Sequence, residues 1–199
     1  FLTALVNAIA KYLSLDIHAL LVTWGYFVGM TVVVIGYAVA TRMRPAAVFA
    51  TKRLGMQLLR ALLLVLTLWT LFVGLTFIPL ADAVAIVFAA PLIITALSGP
   101  LLGERVGPHR WGAVLVGLVG ILFIVQPSGG VLGWVVLLPL ASAFAFSLFQ
   151  IVTRKMAGTE STFVTLFYSC AGATALSTPV ALYFWTPLDG QKLAILLLA

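Results

Sequence analysis

DAVAIVFAAPLIITALSGPLLGER, residues 82–105, runs for twenty-one residues between Asp82 and Glu104 without a formal charge, and Pro91 and Pro100 stand inside it. A helix of that length in a soluble protein carries a polar face, which this stretch lacks. A proline inside a helix costs about 3 kcal/mol in water, because it removes an amide donor and crowds the preceding turn. In a bilayer the freed carbonyl must instead be satisfied by a neighbouring helix, a hydroxyl or water, so an interrupted apolar span marks a kink beside a cavity.

The rest of the chain has the same character. Of its 199 residues 63% are hydrophobic and 8% charged, against about 25% charged in an ordinary soluble domain. The formal charge of +6 could suggest nucleic acid, but the eleven Lys and Arg lie in short clusters between apolar runs, with no basic stripe and no recognition motif. No nucleic-acid partner is expected; the bilayer is. The single cysteine, Cys170, lies in an apolar segment and builds neither a disulfide framework nor a thiolate metal site. The chain opens on FLTALVNAIAKYL, which does not read as a cleavable signal and is expected to start partway through a helix.

A helix needs about 20 apolar residues to cross the hydrocarbon. On that scale spans are predicted at 1–14 (incomplete), 17–41, 58–78, 82–103, 109–126, 131–153 and 162–185, with an eighth starting near 191. The runs are continuous rather than alternating, which excludes a β-barrel pattern. Placed on alternate sides, the connections put Arg42, Arg44, Lys52, Arg53, Arg60, Arg105, Arg110, Arg154 and Lys155 on one side, and Lys11 and Lys192 on the other. That bias assigns the loops 42–57, 104–108 and 154–161 to the cytoplasm of a multi-pass protein in the inner or plasma membrane. The opposite connections (SLD, IPLA, PSGG, TPLDGQ) are short and turn-forming, so successive helices are expected to be antiparallel neighbours.

Sliding the sequence against itself gives a weak match at an offset of 143: Lys11 on Arg154, His18 on Ser161, Trp24 on Phe167, Gly29 on Gly172. Five spans separate the copies, and an odd number inverts the second in the membrane. The fold expected is therefore an all-α polytopic membrane protein of inverted five-helix repeats. Residues 1–127 would be the first repeat, its opening helix truncated, and 131–199 an incomplete second one. About seven and a half of ten spans would then be present.

Residues 77–127 resemble the most recurrent segment of EamA-like carriers of the drug/metabolite transporter superfamily. The resemblance rests on PLADA before the fourth span, Pro91 within it, LGER at 102–105, and a glycine-rich fifth span ending in a proline. MQLLRALLLVL, with Arg60, and the five-span layout extend it over nearly the whole chain. In one place the chain departs: VTWGYF carries Tyr26 where many relatives have an arginine, which puts any role of that arginine in doubt here. The resemblance implies a ten-helix transporter of two inverted units. It would move a small amino acid, nucleoside or amphipathic, drug-like metabolite by alternating access, in uptake or efflux.

Candidate cavity residues follow from polarity at depth. Thr95 and Ser98 lie four and seven residues past Pro91 and can share its face, lining a cavity or bonding their own backbone. Trp24, Tyr26, Trp69, Phe88, Phe167 and Tyr168 can build an aromatic chamber or pack between helices. Trp111, Trp134 and Trp185, near span ends, read as interfacial. Ser147 and Gln150 are the polar pair of the sixth span, interhelical glue or cavity wall. Ala113, Gly117 and Gly120 form a packing face. Glu104, at a helix C-terminus where the dipole disfavours it, calls for a cation, with Arg60, Arg105 and Arg110 the candidates for a structural or gating pair. Asp82 reads as an N-cap and Pro100 as a terminator.

All five acidic residues lie at span ends or in loops, so no buried carboxylate relay for ion coupling is visible. His18 and His109, the only histidines, are poorly placed to serve Ser98 as a nucleophile, and neither paired carboxylates nor a metal motif is present. An enzyme is disfavoured, no cofactor or metal is called for, and the remaining alternative to a carrier is a non-transporting scaffold. The sequence leaves a homodimer open.

Overall fold

The computed structural model describes residues 18–104, 106–125 and 134–185. The spans expected at 1–14 and beyond 191, and Arg105, lie outside the described residues. Within them every regular element is helical. In chain order these are α1 (Ala19–Ala40), α2 (Pro45–Phe49), α3 (Leu54–Phe77), α4 (Leu80–Val87), α5 (Ala90–Leu102) and α6 (Pro108–Val125), then a 3-10 turn (Trp134–Val136), α7 (Leu137–Met156) and α8 (Thr162–Tyr183). Among the described residues, five stretches are long and apolar enough to cross a membrane: Ala19–Ala40, Leu54–Phe77, Leu80–Leu102, Trp134–Met156 and Thr162–Tyr183. At 1.5 Å per residue each covers the ~30 Å of hydrocarbon.

Local chemistry sets the helix ends. His18 Nδ1 accepts from the Leu20 amide at 3.3 Å and starts α1. Ser161 Oγ accepts from the Val164 amide at 3.1 Å and starts α8. Both side chains meet amides that the first turn leaves without a backbone acceptor. The 42–57 connection is not all loop: Pro45, with φ preset for a first turn, opens the short α2. α3 starts at Leu54, four residues before the predicted bound.

Two expectations at the opening stretch are corrected. α4 begins at Leu80 with Pro79 as its N-cap, so Asp82 sits inside the first turn, where it still complements the helix dipole, and is not the cap. Pro100 does not end α5, which runs on to Leu102 and closes at Gly103, with φ at 72°. That left-handed conformation suits glycine because it has no Cβ, and it is the usual way for a helix to stop.

The chain packs as two compact units. One comprises the described residues up to Val65 together with those from Met156; the other is Leu66–Lys155.

In the first unit α1 and α8 lie antiparallel. Trp24 Nε1 donates to Thr178 Oγ1 at 3.0 Å, the Thr31 and Thr174 hydroxyls share a hydrogen bond, and the Tyr37 and Phe163 rings stack at 6.0 Å. α3 crosses α8 so closely that a Cβ on Gly172 would lie 2.7 Å from Ala61 Cβ. α2 docks on α8 through the Phe49 and Phe167 rings and the Tyr168 hydroxyl, which donates to the Phe49 carbonyl at 3.0 Å.

In the second unit Ser142 Oγ donates to the Thr67 carbonyl at 2.8 Å, and Gly74 lets α3 approach Leu138 and Pro139. Lipid is as apolar as leucine, so small residues that allow close approach and interhelical hydrogen bonds, worth about 0.6 to 2 kcal/mol each, do the holding.

Candidate functional site

The opening stretch is not one kinked helix but two half-helices. α4 ends at Val87, Phe88 and Ala89 turn, and α5 starts at Ala90. Pro91 therefore stands in the first turn of α5, not in a helix interior. There its missing amide breaks no helix hydrogen bond, because first-turn amides have no intrahelical acceptor.

The neighbouring helix packs against this start. Ser147 on α7, fully buried, sends its hydroxyl to the Ala90 carbonyl at 3.0 Å and to its own Ala143 carbonyl at 2.6 Å. Ala89, Ala90 and Ala143 form the contact, with Ile93 and Phe146 against it. Methyl side chains let the two helices come this near.

Pro91, Thr95 and Ser98 line one cavity of about 490 Å³, together with Leu92, Ile94, Ala113, Val114, Arg110 and Arg154. The two hydroxyls do not point freely into it. Thr95 Oγ1 donates to the Pro91 carbonyl at 2.8 Å, and Ser98 Oγ to the Thr95 carbonyl at 2.9 Å. Phe88, at the break, is 68% exposed. Gln150 is half-buried, one turn beyond Ser147. Trp69, half-buried on α3, has its Nε1 atom buried without a hydrogen-bond partner.

At the arginine-rich end Glu104 meets two cations, Arg154 Nη1 at 3.5 Å and Arg110 Nη1 at 3.9 Å. Their side chains are 52% and 64% exposed, so screening holds each pair to about 1 kcal/mol or less. Arg60 is 4% exposed on α3, and its Nη1 donates to the Thr165 carbonyl at 3.1 Å and to Gln57 Oε1 at 3.4 Å. It thus serves the α3–α8 contact of the first unit.

In that unit Trp24 is half-buried, bonded to Thr178 and edge-on to Trp185 at 5.9 Å. Tyr26 is half-buried and edge-on to Phe27 at 5.8 Å. Phe167 meets Phe49 at 5.1 Å and Tyr168 at 5.6 Å, and borders an apolar groove of about 370 Å³ lined also by Arg42, Val48 and Phe49.

A membrane protein with a proline-broken span of this sequence has known counterparts: the EamA-like transporter family matches residues 1–126. The chain belongs to that family. This EamA-like chain is 29% identical over 192 residues to the S-adenosylmethionine uptake transporter of Rickettsia prowazekii, covering 96% of its own length and 64% of the relative's. It is 34% identical over 128 residues to the riboflavin transporter of Rhizobium johnstonii, covering 63% of itself and 42% of that protein. It spans less than two thirds of either relative's length. A crystal structure of a protein 24% identical to it superposes with a TM-score of 0.65 over 98% of this chain and 72% of that one, which shows a shared fold. The EamA-like chain is thus a multi-pass membrane protein of a transporter family.

Several of its contacts escaped sequence reasoning. Arg154 entered as a topology marker and as the repeat counterpart of Lys11, not as a partner of Glu104, yet it is the nearer of the two cations to that carboxylate. Thr31, Thr174 and Thr178 drew no attention, although threonines on two facing helices are a signal for interhelical bonding. Gln57, one turn before Arg60, is fully buried and leaves Nε2 without a partner. Its spacing from a buried arginine could have raised it.

Proposed function

We propose that this protein is a secondary carrier that moves a small metabolite across the cytoplasmic membrane by alternating access, built from two inverted repeats. Residues 1–127 are assigned to the first and 131–199 to the second, with the loops 42–57, 104–108 and 154–161 on the cytoplasmic side. One observation carries this reading. α1 and α8 are both 22 residues long, and both their bounds and their capping residues differ by 143, the offset of the sequence repeat. The two helices also run antiparallel, as copies related by an axis in the membrane plane must.

The two relatives are named for S-adenosylmethionine and riboflavin. Both compounds contain a flat nitrogen heterocycle. An aromatic side chain with a spare N–H donor suits such a ring, since the face stacks and the N–H finds a ring acceptor. Trp69 has that donor, and we assign substrate contact to it first, with Phe88 and Gln150 as further contributors within its unit, and Trp24, Tyr26, Phe167 and Tyr168 as separate candidates in the other. Pro91, Thr95, Ser98 and Ser147, whose polar groups are engaged with backbone, are assigned to building the broken span. Arg60 is assigned a structural role, and Glu104 with Arg110 the part of a gating pair.

Uptake and counterflow in proteoliposomes test the reading, with S-adenosylmethionine, riboflavin, nucleosides and amino acids as substrates. Saturable exchange that is weakened by Trp69→Ala is expected. No flux of any of them through a folded, correctly oriented protein would favour a scaffold.

A further inference from the structure

The cavity lined by Pro91, Thr95 and Ser98 is unlike a site for a polar metabolite. Its two hydroxyls donate to backbone carbonyls of their own helix, at 2.8 and 2.9 Å, and the rest of its wall, Leu92, Ile94, Ala113 and Val114, is apolar. Charge is confined to one end, where Arg110 opens α6 and Arg154 closes α7. A single carboxylate, Glu104, stands between them at 3.9 and 3.5 Å. Two guanidiniums offer ten N–H donors in all, far more than one carboxylate can accept, and more than half of each side chain is exposed. At the other end Leu92 closes the space against Gly117, where a Cβ would lie 3.1 Å from the leucine methyl. From Pro91 to the end of α5 is about 16 Å at 1.5 Å per residue, roughly half the hydrocarbon thickness. An apolar cleft one leaflet deep with two cations at its mouth has the dimensions and polarity of an anionic phospholipid.

We propose that the cleft between α5 and α6 seats a phospholipid of the cytoplasmic leaflet, its headgroup phosphate held by Arg110 and Arg154. Guanidinium binds phosphate through paired N–H donors, and basic pockets between helices on the cytoplasmic side suit such headgroups. Glu104 bridges the two arginines when the cleft is empty and competes with the phosphate when it is not. Exposed Leu115 and Val116 on α6 offer apolar surface beyond the cleft for the acyl chains. The placement in the cytoplasmic leaflet rests on the orientation proposed above; the lipid contact itself does not depend on the transport reading.

Native mass spectrometry of the purified full-length protein decides it, with phosphatidylglycerol and phosphatidylcholine of identical acyl chains as probes. Preferential retention of phosphatidylglycerol is expected, falling about fivefold for each arginine neutralised in Arg110→Gln and Arg154→Gln and rising in Glu104→Gln. Ala113→Phe, which fills the cleft without touching a charge, is expected to displace the lipid as well, and covers the case in which an arginine variant does not fold. Equal retention of the two lipids, or an undiminished preference in Ala113→Phe, overturns the proposal. So does release of the phosphatidylglycerol by millimolar inorganic phosphate or glycerol 3-phosphate, which would assign the site to a soluble anion.

Discussion

Thr31 and Thr174 stand 143 residues apart in the chain, and their hydroxyl oxygens meet at 2.9 Å. In two helices related by a two-fold axis, only a residue near the axis touches its own counterpart. With the proposed offset of 143 this pair marks the axis, and every other α1–α8 contact is expected to occur twice. The counterpart of Trp24 with Thr178 is Ile35 with Phe167, two residues that border the same apolar groove. Cysteine pairs at 24 and 178 and at 35 and 167 are therefore expected to cross-link under mild oxidant with comparable yields. Cross-linking at the first pair alone would remove the repeat register.

Gly172 is where α8 can least accept a side chain. A methyl there would stand 2.7 Å from Ala61 Cβ, inside van der Waals contact and against a neighbour that cannot rotate away. Gly172→Ala is expected to destabilise the protein by about 1 to 3 kcal/mol. Adding Ala61→Gly returns the space, so thermal unfolding in detergent should show the double variant above the single one. A double variant no better than the single would mean that the crossing is set elsewhere.

Ser147→Ala removes the only side-chain hydrogen bond seen at the Ala90 carbonyl among the described residues, and so loosens the first turn of α5. The expected loss is about 1 kcal/mol, read as a lower melting temperature. Ser147→Cys, with its weak donor, should fall between alanine and wild type.

The two tryptophans contrast. Trp24→Phe breaks a hydrogen bond to Thr178 and should cost about 0.5 to 1.5 kcal/mol. Trp69→Phe removes a buried donor that has no partner, so stability should hold or rise while transport in proteoliposomes falls. Full transport by Trp69→Phe would take that indole out of the proposed substrate contact.

Arg60→Met leaves the Thr165 carbonyl and the Gln57 amide without their charged donor inside the α3–α8 contact. A loss of about 1.5 to 3 kcal/mol is expected, with Arg60→Lys recovering part of it, since one ammonium cannot reproduce the guanidinium fork. Equal stability of the methionine variant and wild type would show that the contact does not depend on the charge.

What was legible in the sequence was what a bilayer enforces over 20 residues. Apolar run length placed α1 within two residues of its bounds, because leaving the hydrocarbon is costly at either end. The break was legible as an event and misplaced as a position: proline announces a lost amide but not whether the chain bends around it or starts a new helix at Ala90. Asp82 and Pro100 were misread for a related reason, since cap and terminator are roles fixed by backbone geometry one or two residues away. Contacts across space were the least legible. Glu104 asked for a cation, but nothing in the local sequence distinguishes Arg110, six residues on, from Arg154, fifty residues on, and both are near it.

The turn at Phe88–Ala89 also has a mechanical consequence. An unbroken helix of 23 residues is a stiff rod: tilting one end in its leaflet swings the other end by a comparable arc. Two rods of 8 and 13 residues, joined by the turn at Phe88 and Ala89 and held to α7 near that turn by the Ser147 hydroxyl and a small alanine contact, can tilt separately. The same stretch can then lean at one face of the membrane while staying upright at the other, and no turn of helix has to unwind to let it do so.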